Sequence, residues 1–220
     1  MMQKSEDYST DWVETTEQML KERFRINEGS HDWFHIDRVR NLALLLAEKE
    51  GGDPFLIEMA ALLHDLDDWK INGGSSGSSV TEWLDFLGMD LKSRERITLI
   101  IEEVSFKGAG VMTPCSSVES CIVQDADRLD ALGAIGIARA FAYGGSKGHA
   151  LHQPGVGPLH HDTFDGYQSH KGSTINHFYE KLLLLKERLN TPKAIRIAEG
   201  RHRFMLEFLE HFFREWEQEI

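Results

Sequence analysis

Three short stretches of the sequence carry histidines and aspartates whose types and positions suit metal chemistry. His64-Asp65 ends the apolar run AALLHDLDDWK, and His35 lies at the start of a separate amphipathic segment, SHDWFHIDRV. A third segment, otherwise apolar from 122 to 142, contains three aspartates: Asp125, Asp127 and Asp130. Buried imidazoles and carboxylates are costly unless they are paired or bound to a metal. One divalent cation would satisfy all three stretches together, since mixed imidazole and carboxylate ligands suit Mn, Fe, Co, Ni or Zn.

Each stretch taken alone also has a purely structural interpretation. A lone histidine on an apolar face is more often a hydrogen-bonded core residue than a ligand. Aspartates at a helix end usually cap the helix or face the solvent. It is the combination of the three stretches, in the order His, His-Asp and Asp, that favours a metal site.

The elements that carry these residues are predicted to be helices. Apolar residues recur every three or four positions from Trp12 to Phe24, and again from His35 to Glu50, where Gly51-Gly52 ends the pattern. Asp53-Pro54 is typical of an N-cap followed by proline in the first turn. Further helical patterns cover Val80–Leu87, Lys92–Val104, Ser117–Tyr143 (bent or broken), Ser173–Leu189 and Pro192–Glu217. The sequence therefore predicts an all-α protein, with a short hairpin near 105–115 left open.

Two stretches depart from this periodicity. GGSSGSS at 73–79 has the composition of a flexible surface loop. The segment from Gly144 to Lys171 holds five of the eleven histidines and two prolines, which predicts one long loop near 144–172. A loop of that length is usually functional or disordered, and we interpret it as a substrate lid. Its histidine spacings do not match a known zinc pattern.

Composition and charge exclude several classes of protein. A net charge of −12 argues against binding an extended nucleic acid, although a small phosphorylated substrate remains compatible with it. The sequence has neither an apolar run long enough for a membrane span nor the pattern of a secretory signal, so we expect a cytoplasmic protein. Cys115 and Cys121 are interpreted as ordinary thiols. The sequence does not indicate an oligomeric state.

The motifs resemble those of the HD-domain superfamily of metal-dependent phosphohydrolases. The similarity is closest to a bacterial subgroup of nucleotide-pyrophosphohydrolase-like proteins. The matching blocks, which extend from Ser30 to Met205, are GSHDWFHIDRV, AALLHDLDDWK, SFKGAGV, IVQDADRLDALGAIGIARAFAYGG, STINHFYEKLLLLKERLNT and IAEGRHRFM. The resemblance implies a single globular helical bundle over 1–220, with a catalytic core at about 30–145 and C-terminal helices at 173–220 packed on it.

The resemblance also implies a ligand set for a divalent metal (Mn, Fe, Co, Ni, Mg or Zn). That set is His35, His64, Asp65 and Asp127. The His-x-x-Arg-Val form selects His35 over His31. The Ala-Asp-Arg-Leu form selects Asp127 over Asp125 or Asp130.

Further roles are implied for residues around these ligands. Asp68 matches the acidic residue that positions or deprotonates the attacking water in related enzymes. Phosphate-binding roles are expected for His31, Arg38, Lys70, Lys107 and Arg128. For each of these cations an ordinary surface salt bridge is the alternative.

The function that follows is hydrolysis of a small phosphorylated substrate. The subgroup favours a nucleotide, with a (deoxy)nucleoside triphosphate cut to the monophosphate and pyrophosphate. The alternatives are a nucleotide phosphomonoesterase and a metal-containing ligand-sensing module without turnover. A His-Glu-x-x-His protease motif and a phosphate-binding Gly-x4-Gly-Lys loop are absent from the sequence, and so is the Gly-Tyr-Pro block of one phosphodiesterase class.

Overall fold

The computed structural model describes residues 3–24, 32–66, 78–104, 113–159 and 172–219. Every regular element within these ranges is a helix, which confirms the predicted all-α class. The chain forms two compact units, described separately below. The first comprises Met1–Ser105 and Pro114–Ala126, and the second comprises Phe106–Thr113 and Asp127–Ile220. A single HD-type domain over 1–220 stays a prediction.

The helices of the first unit match the predicted segments. They are α1 (Gln3–Arg23), α2 (Trp33–Glu50), α3 (Pro54–Leu63), α4 (Ser78–Phe86), α5 (Leu91–Val104) and the greater part of α6 (Val118–Asp130). Residues 73–77 of the glycine- and serine-rich stretch lie outside the described ranges, as do 105–112 of the possible hairpin.

The turn between α2 and α3 needs two glycines and one aspartate. Gly51 has φ +86°, and its N–H donates to the Ala47 carbonyl at the end of α2. Gly52 has φ +90°, and a Cβ there would lie 3.1 Å from Ile57 Cδ1, so a side chain is disfavoured twice. The Asp53 carboxylate accepts from the Phe55 and Leu56 amides at the start of α3, which confirms the predicted cap.

Helix α3 is the most completely buried helix that can be described. From Leu56 to Leu63 every residue except Glu58 is buried, and the helix packs against α1, α2 and α5. Burying each leucine or isoleucine stabilises the fold by about 1.5–3 kcal/mol. Because α3 is apolar around its circumference, the residues that directly follow it emerge within the protein interior.

An ion-pair network fixes α2 against its neighbours. Arg40 of α2 donates to Glu58 of α3 at 2.7 Å and to Glu17 of α1 at 2.9 Å. Burial by itself would lower the pKa of Arg40, but the bonds to Glu58 and Glu17 outweigh it and raise that pKa. The three side chains thus satisfy one another.

The start of α6 is fixed by a buried polar network. The Ser116 amide and hydroxyl both donate to the Glu103 carboxylate at 3.0 Å, and the Gln124 side chain donates to the Glu103 and Pro114 carbonyls. Burial acts to raise the pKa of Glu103, but hydrogen bonds from Ser116 and Ser120 outweigh it and lower that pKa. The segment before α6 is therefore held against α5.

The cysteines are a correction to the sequence interpretation. Cys115, in the segment before α6, and Cys121, in the first turns of α6, form a disulfide with a Cα–Cα distance of 5.1 Å. The predicted thiols were wrong because spacing alone does not show that a helix start brings these residues together.

The larger segment of the second unit, Asp127–Ile220, begins at the last residues of α6. It contains α7 (Gly133–Ser146), α8 (Thr174–Glu180), a 3₁₀ helix (Leu182–Arg188) and α9 (Pro192–Trp216). The predicted break within 117–143 falls at residues 131–132. Gly133 has φ +74°, and a Cβ at this position would lie 3.0 Å from Arg201 Cγ.

The long loop starts later than predicted, because α7 continues to Ser146. Residues 147–159 are described and bond to α8: the Thr174 amide donates to the Ala150 carbonyl, and the Leu159 amide donates to Glu180. Residues 160–171, which include the remaining loop histidines, lie outside the described ranges. The substrate lid stays a prediction.

An aromatic cluster joins α7, α8 and α9. Phe178 stacks on Phe208 at 5.8 Å, and Phe212 stacks on Trp216 at 5.8 Å. Phe208 and Phe212 are half-buried in this cluster, whereas Phe204 and Trp216 are 48% and 42% exposed. Among the described residues, no helix is both long and apolar enough to cross a bilayer.

Candidate metal centre

His64 and Asp65 occupy the turn that follows α3. His64 is 7% exposed and Asp65 is 6% exposed, because the apolar helix ends within the interior. The His64 Nδ1 lies 2.8 Å from the Ala61 carbonyl oxygen. A carbonyl only accepts, so Nδ1 donates to it, and Nε2 is the ring nitrogen that faces away from this bond.

His35 approaches from the first turn of α2. The Asp32 carboxylate caps this helix by accepting from the His35 amide at 2.8 Å, which fixes where the helix begins. The His35 side chain is buried, at 1% exposure. Its amphipathic helix places the ring on the inner face, together with Ile36 and Val39.

The polar atoms of these three residues converge. The Nε2 atoms of His35 and His64 are 3.3 Å apart, and their rings meet edge to face. Asp65 Oδ2 lies 3.3 Å from His35 Nε2, and Asp65 Oδ1 lies 3.5 Å from His64 Nε2. Two imidazole nitrogens and a carboxylate therefore face one small volume.

Asp127 follows Ala126 directly in the continuous helix α6. Ligand atoms of Asp127, His35 and His64 all lie within 4.8 Å of one another. Among the described residues this is the one group of three or more His, Cys, Asp or Glu side chains with such spacing. Asp127 is half-buried, whereas His35 and His64 are buried.

The donor set fits a divalent cation. Two nitrogens that lie about 2.1 Å from one ion are about 3.0 Å apart at a right angle and about 3.4 Å apart at a tetrahedral angle. The observed 3.3 Å between the Nε2 atoms falls in that interval. The orientation of His64 by Ala61 is the second interaction that metal-binding histidines usually make.

The competing aspartates of α6 have other surroundings. Asp130 is buried and accepts from Arg139 at 2.8 Å. Asp125 is fully buried and does not belong to the group of ligand atoms. The structure thus brings together Asp127, rather than Asp125 or Asp130, with His35 and His64.

Two of the predicted phosphate-binding residues, Arg38 and Arg128, lie within the described ranges. Arg38 is half-buried on α2, one turn after His35. Arg128 is 4% exposed, and its guanidinium donates to the Arg188 carbonyl and to the Thr113 hydroxyl. The remaining predicted residues lie outside the described ranges: His31, Asp68, Lys70 and Lys107.

Two features of this region were missed from the sequence. The Ala61 carbonyl that orients His64 has no sequence signature, because any residue three positions earlier offers the same group. The second is the contact of Arg201 with the Leu129 carbonyl near the end of α6, which joins residues far apart in the sequence.

The chain is similar to known proteins of one family. A model of the HD domain matches residues 33–132, which include His35, His64, Asp65 and Asp127. The YpgQ protein of Bacillus subtilis is 42% identical over 184 residues, which are 82% of either chain. The chain belongs to the HD-domain family. This confirms the family predicted from the motifs. HD-domain proteins are metal-dependent phosphohydrolases that bind divalent metals.

Solved structures of HD proteins extend the similarity over nearly the whole chain. An HD-superfamily hydrolase from Bacillus thuringiensis is 40% identical, with 95% of this chain and 98% of that chain covered and a TM-score of 0.73. The crystal structure of Bacillus subtilis YpgQ in complex with ADP is 36% identical, with coverages of 92% and 97% and a TM-score of 0.73.

Proposed function

We propose that this HD-domain protein hydrolyses a nucleotide, cutting a (deoxy)nucleoside triphosphate to the monophosphate and pyrophosphate. In this reaction one water is consumed, the bridging P–O bond between the α and β phosphorus atoms breaks, and the water oxygen ends on one of the two products. The observation that supports the proposal is that His35, His64 and Asp127 have ligand atoms within 4.8 Å of one another, with Asp65 beside both histidines.

In this proposal the four residues hold one divalent cation. When bound, the metal lowers the pKa of a coordinated water and polarises the phosphoryl group. His35 and His64 bind through Nε2, and the bond to Ala61 keeps the His64 ring oriented. Asp65 and Asp127 add the negative charge that favours a divalent ion over a proton or a monovalent one.

Other residues would move the proton and hold the phosphates. Asp68, three residues after Asp65, is proposed to orient and deprotonate the attacking water. Phosphoryl transfer needs little covalent assistance, so cations that neutralise developing charge matter most. Arg38, one turn along α2 from His35, is proposed for that role, with His31, Lys70 and Lys107 as further candidates.

A nucleotide is favoured over other phosphate esters by the relatives. YpgQ, 36% identical over 92% of this chain, has been crystallised with ADP. We transfer from it only the ligand class, a nucleotide with a phosphate chain. The net charge of −12 restricts this class to small molecules, because an extended polyanion would be repelled.

The test is metal-dependent hydrolysis with the products resolved. Metal-stripped protein receives Mn, Co, Ni, Mg or Zn in turn, together with nucleoside triphosphates, deoxynucleoside triphosphates, monophosphates and a generic phosphodiester. Pyrophosphate release that requires metal supports the proposal. Release of inorganic phosphate from monophosphates alone indicates a phosphomonoesterase. Bound metal without turnover on any substrate indicates a sensing module, and either of these results overturns the proposal.

A further inference from the structure

The C-terminal end of α1 contacts both segments of the first unit that carry proposed metal ligands. Arg23, the last residue of α1, donates from Nη2 to the Leu66 carbonyl, with 3.5 Å between the two heavy atoms. The Lys21 ammonium, in the same turn of the helix, lies 5.1 Å from the centroid of the Trp33 ring. Leu66 directly follows Asp65, and Trp33 begins the helix whose first turn carries a histidine ligand. One turn of α1 therefore contacts the flanks of two ligand-bearing segments.

Leu66 closes the turn that holds two of the ligands. Its amide donates to the Leu63 carbonyl at 3.0 Å, so His64 and Asp65 are the two middle residues of a hydrogen-bonded turn. The Leu66 side chain is buried, which anchors this residue in the interior. The Leu66 carbonyl is the next backbone group after the turn, and Arg23 reaches it from 43 positions away in the sequence. Arg23 thus holds the residue at which the chain leaves this turn.

Helix α1 is itself anchored where these contacts occur. Leu20 and Phe24 are buried, and the Phe24 amide donates to the Leu20 carbonyl at 2.9 Å. The helix packs against α3. Glu17, one turn before Lys21, accepts from that lysine and also from Arg40 of α2 at 2.9 Å. A side chain at this end of α1 therefore starts from a backbone that is fixed relative to α2 and α3.

The ordinary explanation for cations at this position is the helix dipole. Lysine and arginine are favoured in the last turn of a helix, and α1 has both of them there. The dipole accounts for positive charge at the end of α1, but it does not account for a bond from Arg23 to the carbonyl of another segment. Metal sites depend on such outer contacts, because the ligands must be held in the geometry that the ion requires.

We infer that Arg23 is a positioning residue for the metal centre, and that it acts through the Leu66 carbonyl on His64 and Asp65. The inference rests on the proposed function, since it requires that these residues hold a divalent cation. Arg23 is not itself a ligand, because a guanidinium stays protonated and has only donors. Its charge repels a cation, whereas its hydrogen bond organises the ligands. The two effects of Arg23 on metal affinity therefore have opposite signs.

The experiment titrates cobalt(II) into the metal-stripped full chain in the absence of substrate. Cobalt binds sites of nitrogen and oxygen donors, and its visible absorption spectrum reports the geometry of the ligands as well as the dissociation constant. Arg23→Gln removes both the charge and the guanidinium, whereas Arg23→Lys keeps the charge. Lys92→Gln is the matched control, because Lys92 is exposed on α5 of the same unit and its loss changes the net charge equally. Unfolding by denaturant in EDTA measures the stability of each variant without metal.

We expect Arg23→Gln to bind cobalt about tenfold more weakly than the wild type and to change the shape of the cobalt spectrum, as for loss of an outer contact of a metal site. Arg23→Lys should lie between the two, because an ammonium retains donors but lacks the planar fork. Lys92→Gln should match the wild type in affinity and spectrum. All three variants should unfold in EDTA at the wild-type denaturant concentration, because the substituted side chains are exposed.

Three results would overturn this role of Arg23. Equal or tighter cobalt binding by Arg23→Gln with the wild-type spectrum is the result of charge alone, and it leaves the metal centre and the proposed function intact. Weaker binding with the wild-type spectrum and lower stability in EDTA indicates a purely structural residue. A wild type that does not bind cobalt removes the metal centre, and both proposals with it. If Arg23→Gln does not fold, Arg23→Lys decides by the same measurements.

Discussion

Helix α2 contributes to two polar groups of different composition, one around Arg40 and one around His35. Around Arg40, one guanidinium meets two carboxylates, and each partner satisfies the others. Around His35, two imidazole nitrogens lie 3.3 Å apart, and a carboxylate oxygen lies 3.3 Å from one of them. The first group pairs one cation with two carboxylates, whereas the second gathers two imidazole nitrogens and a carboxylate, which are the donor types that suit a divalent cation. This difference separates a structural ion pair from a candidate active centre.

The largest expected effect comes from removing a ligand of the second group. We expect His64→Ala to lower metal-dependent hydrolysis by about 10³-fold or more, because the metal contributes several kcal/mol to catalysis. Metal at about a hundred times its dissociation constant should stabilise the wild type by about 2.7 kcal/mol but not this variant. Calorimetric melting with and without metal checks this, with the exposed His211→Ala as control. Equal stabilisation of both variants would contradict the assignment.

The Cys115–Cys121 disulfide is a covalent link within the first unit. Reducing the Cys115–Cys121 disulfide should lower the free energy of unfolding by about 2 kcal/mol, as expected for a cross-link that closes a short loop. Denaturant unfolding with and without reductant measures this. Cys121→Ser should unfold like the reduced wild type and should not respond to reductant. A wild type whose mass and stability are unchanged by reductant would show that the link is absent.

Breaking the Arg40 network should affect stability alone. We expect Arg40→Met to lower the free energy of unfolding by about 1–2 kcal/mol, between the values for exposed and buried pairs, since two half-buried carboxylates lose their partner. Metal affinity should stay within about twofold of the wild type. Lys49→Met, exposed on the same helix, is the control. A large loss of metal binding in Arg40→Met alone would show that the two groups are coupled.

The smallest effect is the pH response of Glu103. Its folded pKa lies below the ordinary value of 4.5, so the carboxylate contributes stability above that pH and loses it as the pH falls through the folded pKa. Glu103→Gln should therefore be less stable than the wild type near neutral pH, and the difference should shrink as the pH falls below 4.5 and through the folded pKa. Unfolding at several pH values tests this, with exposed Glu102→Gln as control. A difference that is constant with pH would contradict it.

The sequence was most informative where local chemistry decides the structure. The Asp53-Pro54 start of α3 and the glycines after α2 are confirmed because caps and positive φ depend on neighbouring residues. His64-Asp65 could be singled out because an apolar helix ends there. Bringing His35, His64 and Asp127 together needed the family pattern, since periodicity gives the face of each helix but not which faces meet.

Other features depend on contacts that sequence patterns do not contain. Residues Leu182–Arg188, which follow α8, form a 3₁₀ helix. Their leucine-rich sequence is equally compatible with an α-helix, so the sequence did not predict the 3₁₀ form. The Cys115–Cys121 disulfide depends on how the segment before α6 folds back on the helix. The described part of the loop, from 147 to 159, bonds to amides and a carboxylate of α8, which lies far along the chain.

Gly133 has a consequence for how this chain tolerates sequence change. Its backbone conformation and the Arg201 side chain against it both exclude a β carbon. In a saturation library, position 133 should retain glycine almost alone, whereas position 200, which has open space around it, should accept alanine. Natural divergence among relatives should follow the same rule, so that a residue larger than glycine at 133 appears only in lineages where the arginine at 201 has also changed.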